Sequence, residues 1–280
     1  MRLGYKTKQN FILCAKLLVL AVLVITMITP VLFMLSSAFK KGAEINSWPP
    51  SLFPKQPILS NFGKLMDAAR FDIYFLNSMK MALVSTIGMV VSSTVAGYVF
   101  AKYKFRARNL LFGLVLSSSM IPFEIYMIPL YEQMVDLKLN NTFAGLIIPY
   151  LVMSFGIFFM RQIVSQQIPD ELLEAARIDG CSEMRIFLQI VMPLLRSGIA
   201  ALSIFAFVEG WNAFIWPLIM VSSDSLFTME LGLALFQTQF QVDMGAVAAG
   251  SLLSAAPIMV VFLAFRRQIL DSVAFTGTKG

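Results

Sequence analysis

Four stretches of this chain run longer than a bilayer is thick without one charged residue: Leu17–Phe39, Met81–Ala101, Leu139–Met160 and Met244–Phe265. A helix rises about 1.5 Å per residue, so about 20 apolar residues cross roughly 30 Å of hydrocarbon. A helix also satisfies its own backbone groups, which lipid cannot do. Two further runs, Asn109–Tyr131 and Ser197–Ser223, are each interrupted by a single acid, Glu124 and Glu209. The expected fold is all-α: a polytopic membrane protein with six transmembrane helices.

Composition agrees. The 280 residues are 58% hydrophobic and 14% charged, against about 45–50% and about 25% in soluble domains. The first run follows Arg2, Lys6, Lys8 and Lys16. It is too long for the apolar segment of a cleaved signal peptide and is read as an anchor helix. With the N-terminus in the cytosol, 15 of the 22 Lys and Arg fall in inside segments, and the last outer loop, 224–243, has none. The positive-inside rule therefore puts both termini in the cytosol. The net charge of +6 follows from this topology and does not argue for nucleic acid.

Histidine is absent, and the two cysteines, Cys14 and Cys181, are far apart. Imidazole metal sites, Ser-His-Asp catalysis and a structural disulfide thus lack their raw material. The chain also has no GxxxxGK[ST] phosphate loop, so it is not expected to hydrolyse nucleotide.

The loop after the first run, "SWPPSLFPKQP", favours turns and extended chain until about Asn61. The inner turn "KYKFRARN" reads as a short basic connector. The inner segment from Arg161 to Arg196 is different, being far longer than the roughly 2–8 residues that join packed helices. Pro169, Asp170 and Glu171 start a helix there. Leu172, Leu173 and Ala176 form its packing side and Gly180 makes a sharp turn. Ser182 and Glu183 restart a helix with the apolar stripe Met184, Phe187, Leu188 and Val191, and Pro193 bends the chain into the fifth run. Pro169–Gly180 carries four acids and one arginine. A helix lying on lipid headgroups is basic, so this knob is expected to dock on a protein.

Glu209 sits mid-run, where a charge costs about 2.5–3.5 kcal/mol against lipid. Asn212 and Trp216 follow at three and seven residues, on one helical face, so these three are expected at a cavity or pathway. A carboxylate and an amide beside an indole suit sugar hydroxyls and a sugar ring; the competing reading is that they hold helices together. Glu124, between Pro122 and Pro129, is either a pathway residue or a polar contact at a kink.

The stretch "EAARIDGCSEMRIFLQIVMP" resembles the signature loop of binding-protein-dependent ABC importer permeases: Glu-Ala-Ala, three residues, Gly, nine residues, Ile, one residue, Leu-Pro. The matching positions are Glu174, Ala175, Ala176, Gly180, Ile190 and Pro193, with Met192 where the pattern has Leu. "LNSMKMALVSTIG", "MIPFEIYMIPLYEQM", "FGIFFMRQIVSQQIPDEL", "GWNAFIWPLIM" and the closing "AFTGTKG" resemble the carbohydrate-importing branch, like the shorter permease of maltose-type transporters.

That resemblance implies an organisation and a function. Residues 1–40 would be the N-terminal tail and first helix, 41–72 an extracytoplasmic loop, and 73–280 the transmembrane core with a coupling loop at 162–195. The chain would be a multi-pass protein of the bacterial inner membrane that imports a carbohydrate, an oligosaccharide in the first instance. Its partners would be a second homologous permease, two ABC ATPase subunits and an extracytoplasmic solute-binding protein, with ATP and magnesium bound by the ATPase and no cofactor in this chain. Glu174 would pair with the ATPase, Ala175 and Ala176 would allow close seating, and Gly180 would turn the chain, with Ile190 and Pro193 completing the coupling loop. Glu124, Glu209, Trp211, Asn212 and Trp216 are the candidate pathway residues. A glycerol phosphate importer and an ion-coupled secondary transporter are the alternatives.

Overall fold

The long apolar runs do not all stay straight: Pro30 and Pro257 lie inside unbroken helices, whereas Pro122 stands at a break. In the computed structural model, which describes residues 2–239 and 243–274, the protein is built of helices. The end of "AFTGTKG" beyond Ala274, with Lys279, lies outside the described residues. The chain falls into two units, Met1–Ala69 with Leu233–Ala255, and Arg70–Gly232 with Ala256–Gly280.

In the first unit α1 (Arg2–Ser37) is exposed along its apolar length. After it the buried Lys40 ammonium donates to the Ser51 carbonyl and lies 4.8 Å over the Phe33 ring. The short α2 (Gly42–Ile45) supplies Glu44, which accepts from Ser51 Oγ at 3.1 Å and from the Lys55 amide at 2.9 Å. These bonds brace the proline-rich loop. Next, α3 (Ser60–Ala68) begins where the run of prolines ends, and its buried Asn61 amide donates to the carbonyls of Ala38 and Lys40.

The second unit is organised on α4 (Phe71–Lys102), an unbroken helix with Asp72 in its first turn and Lys102 in its last, both suited to the helix dipole. Then α5 (Arg108–Ser119) and α6 (Phe123–Asp136) meet at 101°. The sequence suggests one continuous run here. Pro122 has no N–H to donate and disfavours helix before it, so the run divides. A short α7 (Phe143–Ile147) is capped by Thr142, whose hydroxyl accepts from the Gly145 amide at 3.1 Å. A 3₁₀ turn containing Pro149 leads to α8 (Ser154–Gln167) with a 41° bend.

Beyond it come α9 (Asp170–Ile178), α10 (Glu183–Ile186), a π turn over Phe187–Val191, α11 (Met192–Leu194) and α12 (Arg196–Trp211). The segment Glu183–Leu194 turns by 78° into α12, just past Pro193. The expected fifth run also breaks, since α12 ends at Trp211 and α13 covers Ile215–Met220. The helices close with α14 (Met229–Gln239) and α15 (Met244–Ala274).

Asn10–Ser37, Phe71–Lys102 and Met244–Phe265 are each long and apolar enough to cross a membrane, and three bent pairs bring the number to as many as six if each pair is one span. Within the second unit α4 packs against α8 and α12. The approach is closest at Gly97, where a Cβ would lie 2.7 Å from Met160 Cβ and 2.8 Å from the Arg161 amide nitrogen.

Candidate functional site

The knob is built as its helix signals lead one to expect, with a turn of well-defined geometry at its centre. Gly180 has φ +78°, its amide donates to Arg177 O, and the Cys181 amide donates back to Ala176 O, both at 3.0 Å. This is the paired bonding of a Schellman ending, which needs a left-handed residue after the helix. Ser182 then caps α10, its Oγ accepting from the Arg185 amide.

Leu173 and Ala176 of α9 are buried in a cluster with Tyr98, Met160, Val164, Ile168, Ile186, Val191 and Leu195. Ala176 therefore faces inward. Of the two alanines expected to allow close seating, only Ala175 is exposed. Three residues after Leu173, Ala176 shares its side of the helix. Glu171, Glu174, Ala175 and Ile178, spaced by three and four, make the outward face, with Ile178 86% exposed. Leu172, expected among the packed residues, is 37% exposed.

The apolar stripe of the second helix also differs from expectation. Met184 and Leu188 point outward, while Ile186, Val191 and Leu195 are buried and Ile190 packs against them. A π turn bonds residue i to i+5 and so carries more residues per turn. It aligns Ile186 with Val191 and rotates Met184 and Leu188 off the core. Pro193 is exposed, immediately before the bend.

Polar bonds fasten the knob to the end of α4. Lys102 Nζ lies 2.6 Å from Asp170 Oδ1, with the lysine side chain 8% exposed and the aspartate 75%. Arg177 Nε donates to Glu183 Oε1 at 2.7 Å and its Nη2 to Oε2 at 3.3 Å, while the Tyr103 hydroxyl donates to Glu183 Oε2. The Lys102 hydrogen bond lowers the Asp170 carboxyl below its ordinary value. Bonds from Arg177 and then Tyr103 lower that of Glu183. Sequence reading gave Lys102 and Tyr103 no role, because their partners are 68 and 80 residues away.

The mid-run residues gather elsewhere, around a cavity of about 860 Å³. Glu209, Asn212 and Trp216 all line it, together with Phe123, Tyr126, Tyr150 and Phe155 and the hydroxyls of Ser118, Ser119 and Ser154. They are not on one continuous helical face: the helix stops at Trp211 with Asn212 at its end, and the break turns Trp216 back to the same space. Trp216 is fully buried, and its indole N–H is already committed to the Gly145 carbonyl at 3.0 Å.

Trp211 does not line the cavity. It packs against Phe75 and Phe207, with ring centroids at 5.4 and 6.0 Å. Glu124 is exposed in the first turn of α6, beside the cavity but not among its lining residues. The aromatic wall was missed in the sequence because its members come from three separate helical regions. Its lining is mainly apolar with a few convergent polar groups, the usual character of a small-molecule site.

The sequence matches the family described as "Binding-protein-dependent transport system inner membrane component" over residues 93–269. The arabinooligosaccharides transport system permease protein AraQ of Halalkalibacterium halodurans is 35% identical over 254 residues, covering 90% of this chain and 91% of that protein. The sn-glycerol-3-phosphate transport system permease protein UgpE of Salmonella typhi is 34% identical over 230 residues, covering 79% of this chain and 82% of its own length. In fold the chain is similar to one from a bacterial ABC transporter involved in the import of the acidic polysaccharide alginate, with a TM-score of 0.84, 18% identity, and 92% and 96% of the two chains covered.

Proposed function

Because the chain belongs to the binding-protein-dependent transport system inner membrane components, we propose that it is one of two homologous permeases of an ABC importer for a neutral carbohydrate. It is a transport subunit of the inner membrane and not itself an enzyme. A family defined by dependence on a binding protein leaves no place for the ion-coupled alternative.

The cavity wall carries the substrate reading. Among the described lining residues there is one carboxylate, Glu209, and no lysine or arginine. A phosphate-bearing solute would meet that carboxylate with no compensating cation from this wall. A sugar would find hydroxyl and amide partners in Ser118, Ser154 and Asn212, and ring faces in Phe123, Tyr126 and Phe155. The similarity to an arabinooligosaccharide permease supports this choice over glycerol phosphate.

Six spans with both termini in the cytosol put the knob on the ATPase side. Its outward face, Glu171, Glu174, Ala175 and Ile178, has the small and acidic character suited to a basic cleft in an ATPase subunit. That partner would bind the ATP and magnesium, an external binding protein would deliver the sugar, and a second, different permease would complete the pore. Closure of the ATPase pair would then rock the spans between inward- and outward-facing states.

The test is uptake by the intact importer in vesicles, comparing a labelled neutral arabino-oligosaccharide with labelled glycerol phosphate. Saturable, ATP-dependent uptake of the oligosaccharide is the expected result. Preferential uptake of glycerol phosphate would overturn the substrate reading.

A further inference from the structure

One helix touches both the knob and a segment at the opposite end of the second unit. At about 1.5 Å per residue the 32 residues of α4 run about 48 Å. At its C-terminal end Lys102 and Tyr103 hold Asp170 and Glu183, on either side of the Gly180 turn. The aromatic rings continue the junction: Tyr103 stands edge-on to Tyr98 at 5.6 Å, and Tyr98 packs on Phe187 at 5.3 Å.

At the N-terminal end of α4 three successive inward residues hold segment 224–229. Tyr74 bonds to Asp224. The Asn77 amide donates to the carbonyls of Ser225 and Phe227 at 2.9 and 3.0 Å. Ser78 Oγ accepts from the Met229 amide at 2.8 Å. Between its ends α4 is unbroken, lines the cavity through Met89, and at Gly97 approaches α8 so closely that a Cβ would lie 2.7 Å from Met160 Cβ.

We propose that Lys102 and Tyr103 are positioning residues that lock the knob to α4, so that α4 carries the knob's displacement as a rigid rod to segment 224–229. The proposal rests on the reading of the knob as the ATPase-docking element. Two pairs whose carboxylates lie at the surface would add little stability individually. Their value here is geometric, since they fix the knob's orientation on the helix at two points either side of its turn. Coupling of this kind is established only by showing that disruption at one end silences a response at the other.

The experiment uses the intact importer in vesicles, with Cys14 and Cys181 replaced by serine and the exposed Ser225 replaced by cysteine. A membrane-impermeant maleimide reports the labelling rate at position 225 before and after trapping with Mg-ATP and vanadate. Trapping is expected to change that rate several-fold in the parent protein. In Lys102→Ala with Tyr103→Phe the change is expected to vanish while trapped nucleotide stays the same. The charge exchange Lys102→Asp with Asp170→Lys is expected to restore it on a Tyr103 background.

A labelling change that persists in the double variant overturns the proposal, as does a parent protein that shows none. Loss of nucleotide trapping in the variant also overturns it, because the clamp would then serve docking itself. Failure of the docking reading shows separately: Glu174→Arg would leave the ATPase subunits co-purifying undiminished.

Discussion

Arg177 and Glu183 face each other across the turn at Gly180, with Nε 2.7 Å from Oε1, so the two helices of the knob are tied above the one residue that reverses the chain. The turn itself tolerates volume but not handedness. A Cβ at Gly180 would meet nothing within 4 Å, yet φ is +78°. Left-handed backbone costs an L-residue roughly 1–2 kcal/mol, and asparagine bears it better than a β-branched residue.

The first prediction therefore separates shape from size. Gly180→Val should abolish uptake while the protein remains in the membrane, and Gly180→Asn should retain most of it. Equal uptake by both variants, measured in vesicles at matched protein levels, would remove the turn from the coupling mechanism.

The second concerns pH. Asp170 and Glu183 both have carboxyls held below their ordinary values of 3.8 and 4.5 by cationic partners. A depressed carboxyl contributes stability that is fully present above its unfolded value and is lost as pH falls through the folded one. Maleimide labelling of Cys181, which lies in this turn, taken at each pH relative to that of the unfolded chain because only the thiolate reacts, should thus be constant from pH 7 down to about pH 5 and should rise only below the ordinary carboxylate range. A rise between pH 7 and pH 6 would mean that other groups hold the knob.

A third prediction distinguishes the two tryptophans. Trp216→Phe leaves the buried Gly145 carbonyl without its donor, a loss of about 1–3 kcal/mol, visible as a lower midpoint of thermal unfolding in detergent. Trp211→Phe should also destabilise, by loosening its packing on Phe75 and Phe207, but should leave the sugar concentration for half-maximal uptake unchanged. A shifted half-maximal concentration would return Trp211 to the pathway.

Fourth, Glu209→Gln and Asn212→Ala should each raise that half-maximal concentration several-fold, since both side chains line the cavity. Unchanged apparent affinity in both would take them out of the sugar's path and leave them as helix contacts.

Fifth, Gly97→Leu should prevent close packing of α4 on α8, because the first added carbon already collides with Met160 and the Arg161 backbone. Overpacking costs about 1–3 kcal/mol or more where backbone must move. The measurement is the yield of monodisperse protein from the membrane, expected to collapse for leucine and to fall less for alanine. Normal yield for the leucine variant would show that the two helices can separate freely.

Hydropathy and spacing made several things legible. Charge-free runs mark membrane helices because lipid offers no partner to a charge or an open backbone. Gly180 marks the ending of the helix that follows Pro169 because the left-handed turn there favours glycine. Those are local properties, written within a few turns of chain. Where the runs break, which face of Glu183–Leu194 is buried, and which tryptophan reaches the cavity were decided in three dimensions. Pro122 divides a run that composition reads as one, and the π turn rotates Met184 and Leu188 away from the core. The partners of Lys102 and Tyr103 are far along the chain and carry no periodic signal. Sequence thus determined that the chain enters a membrane and carries a helix–turn–helix knob, because burial of apolar surface and helix capping act over neighbouring residues. Only the tertiary structure could join that knob to α4, because a contact between distant residues exists only once the helices between them have packed.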